Sequence, residues 1–408
     1  MSGALDLAEG RVPGHAQRVS YIAISLADAL GLDAPTRLAA MHAGLVHDIG
    51  VIASGAGLAA VARSDERMIF AALPLLTPEE AALGVSDTPE LVVERLVEHA
   101  IHGARAAQEL DLGQDVVKAV AGHHENWDGT GYPHGMRGNE IPKLARILAI
   151  ADQIEGLISQ TSPLLARRNF PYWLQRLSGK EADPEMIAAL RELGAGDTFW
   201  LGMFGASLPA ELGGQAARLR EPRSLRLQSF VETFAQLLDS RFNFTVGVSG
   251  RVARLAESLG KSIGLDEQRL KQIRLAALLH DVGQLSVSER IMAKPGILSV
   301  EELDILRLHP VHSHDIVQGI AGLEDVAEWV AAHHERPDGR GYPEGRVGSE
   351  IPIEARILAI CDAYVALTSD RPHRRAMEPQ EAMRQLRAAS GTQLDKDLVD
   401  VFLTRVAS

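Results

Sequence analysis

The chain has 408 residues, 46% of them hydrophobic but only 4% aromatic, and carries a formal net charge of −13. That length accommodates two domains of ordinary size, each with its own core. The acidic balance excludes a broad DNA or RNA binder, which needs clustered Lys and Arg, and a single cysteine, Cys361, excludes an intramolecular disulfide and fits a reducing compartment.

The opening MSGALDLAEG has no charged segment leading into an apolar one. No stretch approaches the ~18 apolar residues that cross a bilayer. A cytoplasmic protein without a membrane partner is therefore expected. Ala and Leu dominate the apolar set, which favours helix packed on helix.

Taken in chain order, the first element is a helix with Val19, Ile22, Leu26 and Leu30 on one face and Gly31 as its stop. LAAMHAGLVHD reads as a buried helix whose last turn presents His47 and Asp48, with Gly50 turning the chain afterwards. Leu96, Ala100, Ala104 and Ala107 put His99 on a further helix. DGTGYP then reads as a loop, since Gly and Pro break helix and strand. The second half repeats the order: a helix with Val248, Val252, Leu255 and Leu259 ended by Gly260, then His280-Asp281 with Gly283, then the loop DGRGYP.

Two stretches are near copies. His123 to Gln153 and His333 to Ala363 agree at 20 of 31 positions without a gap. Each opens on adjacent histidines, passes through Gly-Tyr-Pro and closes on an aspartate, Asp152 or Asp362. His99 and His309 both stand 24 residues before the double histidine. The chain is an internal duplication whose unit carries a metal-binding type of cluster. Counting 32 residues back from His47 gives His15, and back from His280 gives Val248. The first half thus offers seven ligands (His15, His47, Asp48, His99, His123, His124, Asp152) and the second six (His280, Asp281, His309, His333, His334, Asp362). Imidazole and carboxylate without thiolate suit Fe, Mn, Zn, Co or Ni. The adjacent Asp48 has two oxygens with which to bridge a metal pair.

This ordered set resembles the HD-GYP family of HD-superfamily phosphohydrolases, over most of the chain apart from an insert at about 52–90 and a bridging region at about 160–230. The resemblance implies an all-α fold of two tandem helical HD-type domains packed as a pseudo-dimer, here 1–225 and 226–408. It implies hydrolysis of cyclic di-GMP or a related cyclic dinucleotide by a metal-activated water, with His47 and Asp48 at the catalytic centre. Two divalent transition-metal ions, Fe or Mn by preference, are implied in the first domain. One would be held by His15, His47, Asp48 and Asp152, the other by His99, His123 and His124 with Asp48 shared. It further implies substrate contacts at Gly131, Tyr132 and Pro133, and at Gly341, Tyr342 and Pro343. LTSDRPHRRAM resembles the family's phosphate-contacting segment, with Arg371 and Arg374 at the matching positions.

Departures matter too. Family members carry lysine where Val51 and Gln284 stand, and a third-metal glutamate where Arg11 and Phe244 stand. Two metals rather than three are expected. A rival reading is a partly degenerate receptor that binds cyclic dinucleotide without efficient turnover and relays its presence to a signalling partner protein.

Overall fold

Apolar residues recurring every three or four positions make the Ala- and Leu-rich stretches helical, and tertiary burial of those faces stabilises them. A computed structural model of the chain describes residues 2–11, 13–54, 58, 69–70, 76, 78–82, 86, 88–219, 227–242, 244–372 and 374–406. Among these residues every regular element is an α-helix or a short 3₁₀ turn, with only isolated β-bridges, so the fold is all-α. Most of the insert expected at about 52–90, and the residues around 225, lie outside the described set. The chain divides into two compact units, Ser2–Leu225 and Arg226–Ser408.

The first unit begins with α1 (Ser2–Ala8), α2 (His15–Ala29), α3 (Ala34–Val46), α4 (Pro89–Glu109), α5 (Gln114–Ala121) and α6 (Lys143–Ser159). Then follow α7 (Pro163–Leu177), α8 (Pro184–Ala195), α9 (Asp197–Phe204) and α10 (Leu208–Leu219). Ile22 and Leu26 of α2, Met41 of α3 and Ile147 and Ile154 of α6 share one buried cluster. Each such side chain contributes roughly 1.5–3 kcal/mol by leaving water. The start of α2 is fixed from α1: the Asp6 carboxylate accepts the Gly14 N–H at 2.6 Å and the Ala16 N–H at 3.0 Å. His15 is thereby held as the first helical residue.

The second unit repeats this plan with α11 (Leu227–Asp239), α12 (Val248–Ser262), α13 (Glu267–Leu279), α14 (His309–Gln318), α15 (Glu324–Ala331) and α16 (Ile353–Leu367). It closes with α17 (Pro379–Ala389) and α18 (Lys396–Arg405). Asp239 plays the part of Asp6, accepting the Ser249 N–H at 3.0 Å and its hydroxyl at 2.6 Å. No helix among the described residues is long and apolar enough to cross a membrane.

One glycine reading is corrected. Gly260 does not stop its helix, which runs to Ser262 before Gly264 turns at φ +86. Gly260 instead lets Leu265 and Leu270 close in, since a Cβ there would lie 3.0 Å from each. Gly50 and Gly283 do lie where the chain turns after each His-Asp pair, without a positive φ. A Cβ at Gly50 would stand 1.9 Å from the His99 carbonyl, and one at Gly283 2.1 Å from that of His309. Glycine there brings the His-Asp turn against the next ligand-bearing helix, which positions the cluster.

Candidate metal centres

In the first unit, α3 ends at Val46 and His47 continues its backbone geometry as the cap, so His47 and Asp48 leave the helix end together. His99 comes from the middle of α4, His123 and His124 from the turn after α5, and Asp152 from α6. His47 Nδ1 donates to Gly44 O at 3.0 Å, His123 Nδ1 to Val120 O at 2.6 Å, and His99 Nδ1 to Leu96 O. A carbonyl only accepts, so each ring keeps a proton on Nδ1 and turns its Nε2 inward.

These inward nitrogens crowd one another. His15 Nε2 lies 3.3 Å from His47 Nε2, and His124 Nε2 lies 3.0 Å from His99 Nε2. His15 has its Nδ1 committed too, 2.5 Å from Glu155 Oε2. Ring nitrogens this close must share either a proton or a cation. Asp48 lies between the two groups. Its Oδ2 is 3.1 Å from His47 Nε2, while its Oδ1 is 3.2 Å from His123 Nε2 and 3.5 Å from His99 Nε2. Asp152 Oδ1 completes the first group, 3.5 Å from His15 Nε2 and 3.6 Å from His47 Nε2. Burial works against charge on Asp48, yet His47, His123 and His99 hold its carboxyl well below the usual range. Burial likewise opposes charging of His47, and Asp48 and Asp152 override it to push the imidazole up. Without a metal the His47 proton offsets these carboxylates, and a bound cation would take that proton's place.

Three carboxylates in this region escaped the sequence reading. Glu9, six residues before His15, is 1% exposed, and it forms a potential four-ligand group with His15, His47 and Asp48. Burial, then Asp48, raise its carboxyl well above the ordinary range, and Arg11 Nε is 3.6 Å away. Glu155 receives Arg18 Nε at 2.7 Å as well as His15, and so orients the first histidine from behind. Glu125, the third letter of the HHE run, accepts the His134 and Met136 N–H groups at 2.7 and 2.9 Å and pins the loop that follows. A signal existed for Glu155: it lies three residues after Asp152 on α6, on the same face.

The Gly-Tyr-Pro loop meets the cluster from one side. The Tyr132 ring stacks on His124 at 4.7 Å, and its hydroxyl is buried without a hydrogen-bond partner among the described residues. Gly131 packs against the backbone of Asn126, and Pro133 follows the tyrosine in cis. From the insert, the Phe70 ring stands edge-on to His99 at 5.9 Å.

The second unit assembles the same elements differently. Asp281 Oδ2 is 3.2 Å from His280 Nε2 and Asp281 Oδ1 is 3.2 Å from His309 Nε2. His309, His333 and His334 form a four-ligand group with Asp281, whereas His280, Asp281 and Asp362 make only three. Val248, buried, occupies the place of the missing histidine. Tyr342 leans on His334 at 4.9 Å, flanked by Gly341 and Pro343. Arg374 donates to Ala366 O at 2.6 Å and Leu367 O at 3.0 Å, and it lines, with Arg371, an open cleft of about 840 Å³ beside the ligands.

The HD domain model matches residues 91–185 and 232–398. The chain belongs to the HD-domain family. The doubled HHE and Gly-Tyr-Pro signature places it in the HD-GYP branch. It is 26% identical to a 3'3'-cGAMP-specific phosphodiesterase 3 of Vibrio cholerae serotype O1, over 97% of this chain and 91% of that protein. It is 36% identical to a cyclic di-GMP phosphodiesterase of Thermotoga maritima, over 38% of this chain and 42% of that one. The fold matches the crystal structure of a cyclic GMP-AMP specific phosphodiesterase of V. cholerae, at TM-score 0.69 and 23% identity, over 99% of this HD-GYP chain and 95% of the other.

Proposed function

We propose that this chain is a phosphodiesterase that hydrolyses a cyclic dinucleotide at a dinuclear metal centre in its first unit. The observation that carries this is Asp48, with one oxygen turned to each of two inward-facing imidazole groups. One ion would be held by His15, His47, Asp48 and Asp152, with Glu9 in reach, and the other by Asp48, His99, His123 and His124. When bound, such a pair supplies Lewis acidity and an activated water for in-line attack on a phosphodiester. The protein supplies the rest. Backbone carbonyls lock the His47, His99 and His123 tautomers, Glu155 holds His15, and Tyr132 braces His124 with its ring. Relatives spanning nearly all of this chain are named for 3'3'-cGAMP, which makes that ligand the first to test beside cyclic di-GMP. Iron or manganese is the favoured metal, and signalling proteins are the natural partners of such an enzyme.

A receptor reading has one observation in its favour. Val51, 4% exposed, is an apolar residue packed where the family places a lysine toward substrate phosphate. The deciding experiment is anaerobic purification, metal content per chain, and turnover of both cyclic dinucleotides, with a His123→Ala, His124→Ala control. Turnover that disappears in the control supports the enzyme, and tight binding without turnover supports the receptor. A chain that takes up no metal even on reconstitution sinks the dinuclear centre.

A further inference from the structure

Helix α2 works on two sides. Its first residue is His15, and nine residues on (24 − 15) Ile24 stands half a turn round, on the opposite face. Tyr21 and Ile24 are 4% and 3% exposed. At the same places in α12 stand Arg254, exposed, and Glu257, half-buried. What covers this face in the first unit is α9 and α10, which follow α8. The counterpart of α8 by its aspartate cap is α18, the last helix of the second unit. The Tyr21 and Phe199 rings meet at 5.9 Å, and Gly202 lets α9 close on the Tyr21 hydroxyl, since a Cβ there would lie 2.2 Å from it.

The cover does not close completely. Between α2, α3, α8, α9 and α10 it leaves a cleft of about 700 Å³, the size of a small-molecule site and far larger than a packing void. Tyr21, Ile24, Leu193 and Phe199 give it an apolar floor, and its charged lining is Asp28, Arg37, Glu192, Glu211 and Arg218. Arg37 pairs with Asp28. Glu192 and Arg218 at the exposed rim, and Glu211 deeper, enter no ion pair among the described residues. Burial, then the Glu211 carboxylate, push the Tyr21 phenol up, so that carboxylate bears on the floor. Two carboxylates and one guanidinium are thus left open around an apolar base. Their complement has two cationic groups, one carboxylate and an aliphatic chain. A plain diamine would leave Arg218 unmatched, and a neutral or acidic amino acid would leave a glutamate unmatched.

We propose that this cleft is an effector site for an α-amino acid with a cationic side chain. Arg218 takes the ligand's carboxylate, Glu192 and Glu211 take its two cationic groups, and its chain lies on Ile24 and Phe199. Tyr21 lies six residues, about 9 Å, along α2 from His15. A ligand that stiffens α2 here acts on the His15 end without touching the metal centre. The site stands apart from the cyclic-dinucleotide reading of the first unit, and only its effect on turnover rests on that reading.

The test titrates the full chain, with and without Mn²⁺, with lysine, arginine, putrescine, norleucine and glutamate by calorimetry. One lysine or arginine per chain is expected to bind, and the other three at least about tenfold more weakly. Glu192→Gln, Glu211→Gln and Arg218→Gln should each cost about tenfold, and Arg218→Gln should also erase the preference for lysine over putrescine. Gln215→Trp, which fills the cleft, should abolish binding. Circular dichroism melting checks that each variant is folded. Mn²⁺ and the amino acid should shift each other's affinity by one common factor. Failure of both lysine and arginine to bind overturns the proposal, as does equal binding of norleucine or wild-type affinity in the folded Gln variants. Binding that leaves Mn²⁺ affinity unchanged overturns the effector role. Wild-type protein that binds lysine or arginine yet turns over neither cyclic dinucleotide overturns the proposed function of the first unit and leaves this site standing.

Discussion

The two units carry the same scaffold around unlike sites. Both fix the start of a helix with a buried aspartate, both bring the His-Asp turn against the next helix through a glycine, and both brace the second histidine with a tyrosine. Yet Glu9, His15 and Glu155 of the first unit correspond in sequence to Phe242, Val248 and Val365 of the second. The difference teaches that the scaffold and the metal wall are separable: apolar substitution of one wall leaves helix ends, loop and remaining histidines in place. If so, perturbing corresponding residues should give unequal results.

The largest inequality belongs to the bridging aspartates. Asp48→Asn removes one charged oxygen from between the two imidazole groups of the first unit, and turnover of the cyclic dinucleotide is expected to fall at least about a thousandfold. Asp281→Asn, in a unit with one complete ligand group, is expected to lower turnover by less than about tenfold. Steady-state rates of the two variants, with metal content per chain, check this. Equal losses would mean that both units do the chemistry.

Next comes the residue behind the first histidine. Glu155→Gln keeps the volume but weakens the acceptor that holds His15 Nδ1 and Arg18 Nε. Carboxylates in that position are worth about 10–100-fold in metal affinity. Chelator competition should show a loss of that size for one ion and not for the other. The matching Val365→Ala touches no histidine, and metal affinity should stay put.

Glu155 also marks how far the sequence could be read. The duplication, the histidines and both aspartates were legible because spacing survives between the halves, and the all-helical fold followed from Ala and Leu periodicity. Glu9 was not legible, since nothing in the repeat marks it: the second unit has Phe242 in its place, and the resemblance points to Arg11, two residues later. The turns at Gly50 and Gly283 were legible, but the close approach they allow was not, because two backbones drawn together leave no trace in one-dimensional spacing. Arg374 was expected to contact phosphate, and only the geometry shows its guanidinium donating to the carbonyls at the end of α16.

A smaller gain is expected from reversing the change. Val248→His returns an imidazole to the second unit, but with Val365 behind it the ring has no carboxylate to fix its tautomer. Metal content should rise by less than one ion per chain. Adding Val365→Glu supplies that carboxylate and should bring the rise to about one ion, read by elemental analysis. A full ion from Val248→His alone would show that the supporting glutamate is dispensable.

The smallest effect concerns the shared aspartate at the helix start, and it isolates the scaffold from the metals. Burial raises the Asp239 carboxyl to about 6, against the pull of its Ser249 hydrogen bonds. A folded-state pKa above the unfolded value means that the folded chain holds the extra proton. The stabilisation is complete below about pH 4 and is lost as pH rises through about 6. Asp239→Asn stays neutral throughout and removes that slope. Denaturant unfolding of the metal-free chain at pH 4 and pH 7 should differ between wild type and variant by on the order of 2 kcal/mol. Asp6 is raised for the same first reason, burial, so Asp6→Asn should act with the same sign. If the Asp6 slope vanishes on adding metal while the Asp239 slope persists, the first unit's helix start is tied to its ions through His15. The second unit's, leading into Val248, is then scaffold alone.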